Sequence, residues 1–277
     1  CAYPDFDVIK EYTGYARPGN LEIFRDSAAA HGVLDRDHEF AWASGKFQLA
    51  CYKEEIEANL RTPGLSGFQM LELHDQPEQG TALVGVVDQF WKPKSYVTAA
   101  EFARFAGPTV PLARLTKCIF HGNETLNSDV EIYNFADQPL ANVTPYWRIV
   151  DLSGNVAVQG EWPARDIPIG KNIPLGHVSV DLSKLAAPKE YRLVVGLTGT
   201  KVENDWNIWV YPVQQAVDPQ AAGVFETYSW ADAQAYLAKG GKVLYETAPG
   251  DLDPNVNPPL DNVPVFWNRQ MNPKLSA

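Results

Sequence analysis

Residues 65–106 constrain this chain more than any other stretch, because they hold a strand-like run with nothing upstream for it to pair with. Side chains alternate across a strand. In Gly67 to His74, one face therefore carries Phe68, Met70, Glu72 and His74, and the other carries Gln69, Leu71, Leu73 and then Asp75. Phe68 and Met70 suit a packed interior, Leu71 and Leu73 suit a covering layer of helices, and Glu72 and His74 emerge at the carboxyl end. In a (β/α)₈ barrel that is the end where chemistry gathers. On alternation alone the plainer reading is a half-buried strand whose last polar residues merely meet solvent. A lone strand cannot bury both faces, so the chain reads as the tail end of a larger enzyme.

The pattern around this run changes twice. Residues 20–62 are helical in spacing. Asn20 can cap a helix carrying Leu21, Ile23 and Phe24, and Gly32 can end it. A second helix spans about Arg36 to Leu60 with a break expected near Gly45, and Pro63-Gly64 is a stop. Thr98 to Glu101 is a capping box that opens a helix holding Phe102 and Phe105, with Pro108 and Pro111 beyond it. From Lys117 to Pro212 the pattern becomes all-β. Short alternating runs at Asp129–Phe135, Pro145–Asp151, Val156–Trp162, His177–Leu182 and Tyr191–Leu197 are divided by turns such as Ser153-Gly154-Asn155 and Ile169-Gly170-Lys171. Trp206, Ile208 and Val210 close the series on one face. Strands of this length and spacing predict a β-sandwich. Ser229 then caps a short helix, Gly240-Gly241 ends it, and Lys242 to Tyr245 follows as a strand, an α/β pattern. A helix-end glycine pair favours capping over phosphate binding.

The expected fold class is therefore mixed. Residues 1–112 form the C-terminal end of a (β/α)₈ barrel, residues 113–215 an immunoglobulin-like β-sandwich, and residues 220–277 a partial, truncated α/β unit. Composition narrows the partners. Twenty-three basic against 34 acidic residues leave a net charge of −11, which disfavours nucleic acid and anionic membrane. No apolar run approaches the roughly 20 residues of a membrane span, and no stretch reads as a signal peptide. Cys1, Cys51 and Cys118 are too few and too scattered for a disulfide scaffold or a metal site and read as small buried thiols. Cys1 alternatively starts a lipid-anchored interaction protein, although Tyr3-Pro4-Asp5-Phe6 would be an odd tether. The sequence leaves oligomeric state open.

The run GFQMLELHDQ, its loop and FWKPKSYVTAAEFARF together resemble the eighth strand and closing helix of glycoside hydrolase family 2, the β-galactosidases, β-glucuronidases and β-mannosidases. Gly67-Phe68 and Asp75-Gln76 match that family's strand when one insertion is allowed, which places Glu72 at the family's aspartate. Leu71 and Leu73 replace its tryptophans. The closer resemblance is to large bacterial members, through Pro4-Asp5-Phe6 with Tyr12-Thr13-Gly14, the helix Tyr52 to Thr62, and Phe266 to Arg269. These blocks span most of the chain. The resemblance implies a retaining enzyme acting on terminal β-linked sugars, its catalytic carboxylates on the fourth and seventh strands. The pair would then lie upstream of this sequence and leave the chain alone inactive, with no catalytic residue of its own. A periplasmic or extracellular location is expected over a cytoplasmic one.

Carbohydrate is the expected partner, and Glu72, His74, Asp75 and Trp91 are the candidate substrate-binding residues. Trp91 either stacks on a sugar or closes the barrel bottom. Trp147, Trp162 and Trp206 either stack on sugar or, as is commoner, pack a core. Glu54, Glu55 and Glu57 tempt as an acidic cluster, but with Lys53 and Arg61 nearby they read as a solvated helical face. The five histidines lack metal-ligand spacing, and neither a dinucleotide motif nor a P-loop is present, so no cofactor or metal is expected. Asn123-Glu-Thr and Asn142-Val-Thr fit the glycosylation pattern, which arises often by chance. The alternative function is a noncatalytic carbohydrate-binding or scaffold protein using the sandwich.

Overall fold

The computed structural model describes residues 2–15, 17–76, 83–213 and 222–247. The chain divides into two compact units, one running to Pro212 and the next beginning at Val213. The described residues are mostly β-sheet with few helices, and they form no barrel. The matches expected at Phe266 to Arg269, and everything from Pro249 on, lie outside the described residues.

The first unit opens on a 3-10 turn, Phe6–Glu11, followed by α1 (Gly19–Ala30) and α2 (Asp37–Arg61). Pro18, rather than Asn20, sits at the cap of α1, and its carbonyl accepts the Glu22 amide at 3.0 Å. A proline suits that place because its missing N–H has no helical partner there. Gly32 ends the helix as expected, with a φ of 69° that favours glycine. The break expected at Gly45 does not occur: α2 is continuous. A glycine in a helix costs about 1 kcal/mol against alanine, but here it admits the Tyr96 ring. A Cβ at Gly45 would lie 2.1 Å from Tyr96 Cδ1.

Gly67 to His74 is not a strand. The run is extended and irregular, joined only through an isolated bridge between His74 and Val87. Leu73 O accepts from Val86 N at 3.0 Å, and Asp75 N donates to Val87 O at 3.2 Å. Leu71 and Leu73, expected against helices, are exposed, as is Phe68. The reason is physical: a strand persists only where a neighbour satisfies its backbone, and among the described residues no neighbouring strand flanks this run.

α3 (Ala99–Ala106) opens on the expected capping box. Glu101 N donates to Thr98 Oγ1 at 3.2 Å, and Thr98 N donates to Glu101 Oε2 at 2.8 Å. Its Phe105 packs with Ile56 and Leu60 of α2 and with Val110 and Leu112 of β1 (Thr109–Ala113). Pro111 thus lies inside a strand instead of marking the helix stop. β1 is an edge strand, where proline's missing donor is tolerated.

The remaining strands of this unit are β2 (Ile119–His121), β3 (Thr125–Asn134), β4 (Leu140–Val143), β5 (Pro145–Asp151), β6 (Val156–Glu161), β7 (Arg165–Ile167), β8 (Gly170–Asp181), β9 (Lys189–Leu197) and β10 (Glu203–Tyr211). They make a three-stranded sheet ordered β1-β3-β8, a five-stranded sheet ordered β2-β10-β9-β5-β6, and a small β4-β7 pair. This is a β-sandwich-type layer. Leu126, Ile132, Ile149, Leu193, Ile208 and Val195 fill its core without measurable exposure. Each such side chain contributes roughly 1.5–3 kcal/mol. Trp147, Trp162 and Trp206 are half-buried against this core, the packing role.

α2 is tied to the sandwich by a buried carboxylate, and this corrects the expectation of a solvated acidic face. Glu54 and Glu55 are exposed, but Glu57 is 1% exposed. Its carboxylate accepts from Lys53 Nζ, from Asn204 Nδ2 at 2.7 Å and from Trp206 Nε1 at 2.8 Å, with Arg61 Nη1 at 3.3 Å. Asn204 Nδ2 also reaches Pro111 O at 2.9 Å, and its Oδ1 accepts from Lys53 at 2.7 Å. Removing one partner of a buried charge network strands the rest. Glu57→Ala is expected to destabilise this unit by about 3–5 kcal/mol in urea denaturation, and Glu57→Gln by less.

In the second unit, β11 (Val224–Thr227) and β12 (Lys242–Tyr245) pair in parallel around α4 (Trp230–Leu237). Ser229 caps α4 as expected, accepting from Asp232 N at 3.3 Å. Gly240 ends the turn with a φ of 79°, and Gly241 leaves room for Tyr236, whose ring stacks on Phe225 at 4.8 Å.

At the β5–β6 turn, Asp151 accepts from Lys189 Nζ at 3.0 Å and from Asn155 N at 2.9 Å. These bonds, that of Lys189 first, hold its carboxyl down at about 2 against an ordinary 3.8. A carboxyl lowered by folding contributes stability above its unfolded pKa and loses it as pH falls through the folded one. The stability of Asp151→Asn should therefore lack the component of acid sensitivity that the parent chain shows between about pH 4 and pH 2, measured by urea midpoints across that window.

Candidate functional site

Of the four residues singled out for substrate contact, three come together. Glu72 and His74 leave the extended run on the same side, with His74 Nε2 3.9 Å from Glu72 Oε2 and both side chains about a quarter exposed. The Trp91 ring tilts against the His74 imidazole, centroids 4.7 Å apart, and is itself 63% exposed. His74 Nδ1 lies 2.7 Å from Asp75 O, which fixes the ring's orientation. A carboxylate, an imidazole and an open aromatic face thus share one surface. Together they can accept and donate hydrogen bonds beside an apolar plane, the mixture a sugar ring presents in return.

The loop that carries Trp91 is built to hold it. Asp88 Oδ1 accepts from Phe90 N at 2.8 Å and Lys92 N at 2.9 Å, while Trp91 N donates to Asp88 O at 3.0 Å. Asp88 N returns a bond to Lys92 O at 2.9 Å. Inside this tight turn Trp91 takes a φ of 64°, a left-handed conformation that costs a bulky residue about 1–2 kcal/mol. Gly85 allows the opposite strand of the loop to close in: a Cβ there would be 2.4 Å from the His74 backbone.

Asp75 stands apart from the other three. It is 3% exposed, and its Oδ1 accepts from Lys94 Nζ at 2.7 Å and from Gly85 N at 3.0 Å. Lys94 also donates to Gly85 O at 2.9 Å. Burial pushes the Asp75 carboxyl up, against the pull of Lys94, and pushes the Lys94 amine down, against the pull of Asp75. The pair clamps the loop behind the Glu72–His74–Trp91 surface. It also borders a cavity of about 260 Å³ shared with Tyr3, Leu21, Asp88 and Tyr96. Tyr96 OH donates to Gly85 O at 3.1 Å, and burial raises its pKa well above the ordinary tyrosine value.

Sequence spacing gave no hint of one further cluster. Asp5, Asp7 and His38 offer ligand atoms within 4.8 Å of one another, with His38 Nδ1 and Nε2 each 3.5 Å from one of the two carboxylates. All three are exposed, and the group has the makeup of a surface ion cluster. It forms because the opening turn folds back on the start of α2, with Phe6 N donating to buried Asp37 Oδ2 at 3.0 Å. Cys51 and Cys118, expected as buried thiols, are free and exposed.

With this geometry in view, comparison with known proteins gives a coarse answer. Residues 124–212 match the model of a domain of unknown function, DUF8488. No curated protein matches the chain. Among solved structures, the exo-chitosanase CsxA of Amycolatopsis orientalis is 15% identical, with a TM-score of 0.42 over 68% of this chain and 22% of that one. A β-glucuronidase from glycoside hydrolase family 2 is 17% identical, with a TM-score of 0.27 over 37% of this chain. The chain spans 11% of that enzyme's length. A CARDB domain from Pyrococcus furiosus, in complex with di-metal ions, is 8% identical, with a TM-score of 0.28 over 38% of this chain and 92% of that one. Glycosidases thus recur among the neighbours at low identity and coverage. No helix among the described residues is long and apolar enough to cross a membrane.

Trp91 separates a binding role from a packing role. Trp91→Gly removes the ring and relieves the left-handed backbone, while glycine costs about 0.5–1 kcal/mol of its own. The folding free energy should therefore change by less than about 1 kcal/mol in urea denaturation. A loss of more than about 2 kcal/mol would make the ring a structural prop.

Proposed function

We propose that this chain is the C-terminal part of a retaining β-glycoside hydrolase that acts on terminal β-linked sugars. In this reading residues 1–112 complete the enzyme's (β/α)₈ barrel, the sandwich follows it, and the two catalytic carboxylates, about 5–5.5 Å apart in such enzymes, are supplied by polypeptide outside this sequence. The observation that carries the reading is the shared surface of Glu72, His74 and Trp91. Glu72 accepts hydrogen bonds from sugar hydroxyls, His74 orients beside it, and Trp91 offers an apolar face to the ring. Asp75 acts from behind, holding the loop through Lys94.

The test uses a longer gene product that includes upstream sequence, assayed on aryl β-glycosides beside the 277-residue chain. The long form should turn over and the chain alone should not rise above background. Glu72→Gln in the long form keeps size and removes charge, and should lower kcat/KM tenfold or more with folding intact, since a charged hydrogen bond contributes about 1.5–3 kcal/mol. Unchanged kinetics would reduce Glu72 to a surface residue. A long form that binds saccharide without turnover would favour the second reading, a noncatalytic carbohydrate-binding or scaffold protein.

A further inference from the structure

The sandwich carries a cavity of its own at the end of the five-stranded sheet where β5 begins and β6 ends, about 570 Å³ in volume. That lies within the usual range of small-ligand sites, about 300–1,000 Å³. Tyr146, Trp147, Arg148, Gln159, Glu161 and Thr198 all line it. Cross-strand register places Tyr146 opposite Glu161 on β6 and Gly196 on β9, and Arg148 opposite Gln159. These residues therefore share one face of the sheet, the face away from the core side chains Ile149, Leu193 and Val195.

The aromatic group in this patch is locked. The Tyr146 hydroxyl donates to Glu203 Oε2 at 2.7 Å, and the Arg148 guanidinium carbon lies 4.8 Å from the ring centroid. Gly196 leaves bare backbone beneath the ring's hydroxyl end, where a Cβ would come within 2.6 Å of Tyr146 Oη. Trp147, on the opposite, core-facing side of β5, lies across Gly160, where a Cβ would be 2.7 Å from its Nε1. A ring held in one rotamer loses little freedom on binding. Around it stand groups of complementary hydrogen-bonding type: Arg148 only donates, Glu161 only accepts, and Gln159 and Thr198 do both. Gln159 and Glu161 are exposed on the outermost strand of the sheet.

Charge decides the ligand class. Arg148 Nη2 is 2.7 Å from Glu203 Oε2, and Glu203 Oε1 is 3.5 Å from Arg104 of α3. The guanidinium is thus already neutralised by a carboxylate, and Glu161 adds negative charge at the rim. An anionic ligand gains nothing here. A neutral ring with one apolar face and a circle of hydroxyls matches both the locked aromatic and the mixed donors and acceptors.

We propose that this cavity is a binding subsite for a neutral pyranoside unit of an oligosaccharide, separate from the Glu72 surface and independent of the glycosidase reading. Isothermal titration calorimetry on the 277-residue chain, with cellotetraose, laminaritetraose, mannotetraose and β-1,4-galactotetraose as probes and an oligoglucuronate of equal length as the anionic control, tests it. At least one neutral tetrasaccharide should bind. Tyr146→Ala and Gln159→Ala should each weaken it by tenfold or more, and Val156→Ala, exposed at the far end of β6, should leave it within twofold. Because Tyr146 belongs to the Glu203 network and its removal risks the fold, Gln159→Ala on the exposed edge is the deciding variant. Absence of binding by every neutral probe, binding untouched by Gln159→Ala, or preference for the oligoglucuronate would each overturn the proposal. Binding lost only through Trp91→Ala would also overturn it, while leaving the glycosidase reading in place.

Discussion

One buried carboxylate organises the first unit. Glu57 sits where α2, β1 and β10 converge, and its two oxygens draw in Lys53, Arg61, Asn204 and Trp206. Burial pushes the Lys53 amine down from its ordinary pKa, and the pull of Glu57 works against that. Neither ion would be tolerated there alone. Lys53 Nζ also lies 4.8 Å from the Trp206 ring centroid, so the apolar and ionic contacts are made by the same groups. The helices gain a specific seat on the sandwich that apolar packing alone, being non-directional, would not provide.

The Glu72–His74–Trp91 surface depends on a second ion pair of the same kind. Asp75 and Lys94 close the loop from behind, Gly85 lets its backbone approach, and Asp88 ties the turn that holds Trp91 in a left-handed conformation. Gln48 Nε2, 2.5 Å from Val84 O, anchors the same loop to α2. The surface is thus carried by a clamped loop rather than by a sheet, and its three groups hold their places without a strand beneath them.

The two candidate saccharide surfaces are built on different physics. The first is an irregular loop whose order comes from buried charges and one strained residue. The second lies on regular strands, where register alone brings Tyr146, Arg148, Gln159 and Glu161 onto one face, and the glycine at 196 makes room for the Tyr146 ring. The Trp147, Trp162 and Trp206 side chains went to packing, while Tyr146, with no distinguishing sequence signal, sits half-buried on the face away from the core.

Local rules sufficed where a segment's structure depends on its own residues. The period-2 runs became β5, β6 and β9, the Thr98–Glu101 box opened α3, and Ser229 and Gly240 bounded α4, because alternation, capping and left-handed glycine act over a few residues. Tertiary structure decided what those rules leave open. Spacing of 53, 57 and 61 is the same for a solvated face and a buried one, and only the approach of Asn204 and Trp206, nearly 150 residues away in sequence, made it buried. Gly45 looked like a break until Tyr96 filled the space above it. Gly67 to His74 had the alternation of a strand but no partner among the described residues, and without one it stayed irregular. The gathering of Asp5 and Asp7 with His38, and of His74 with Trp91, likewise came from chain crossings that no local period records.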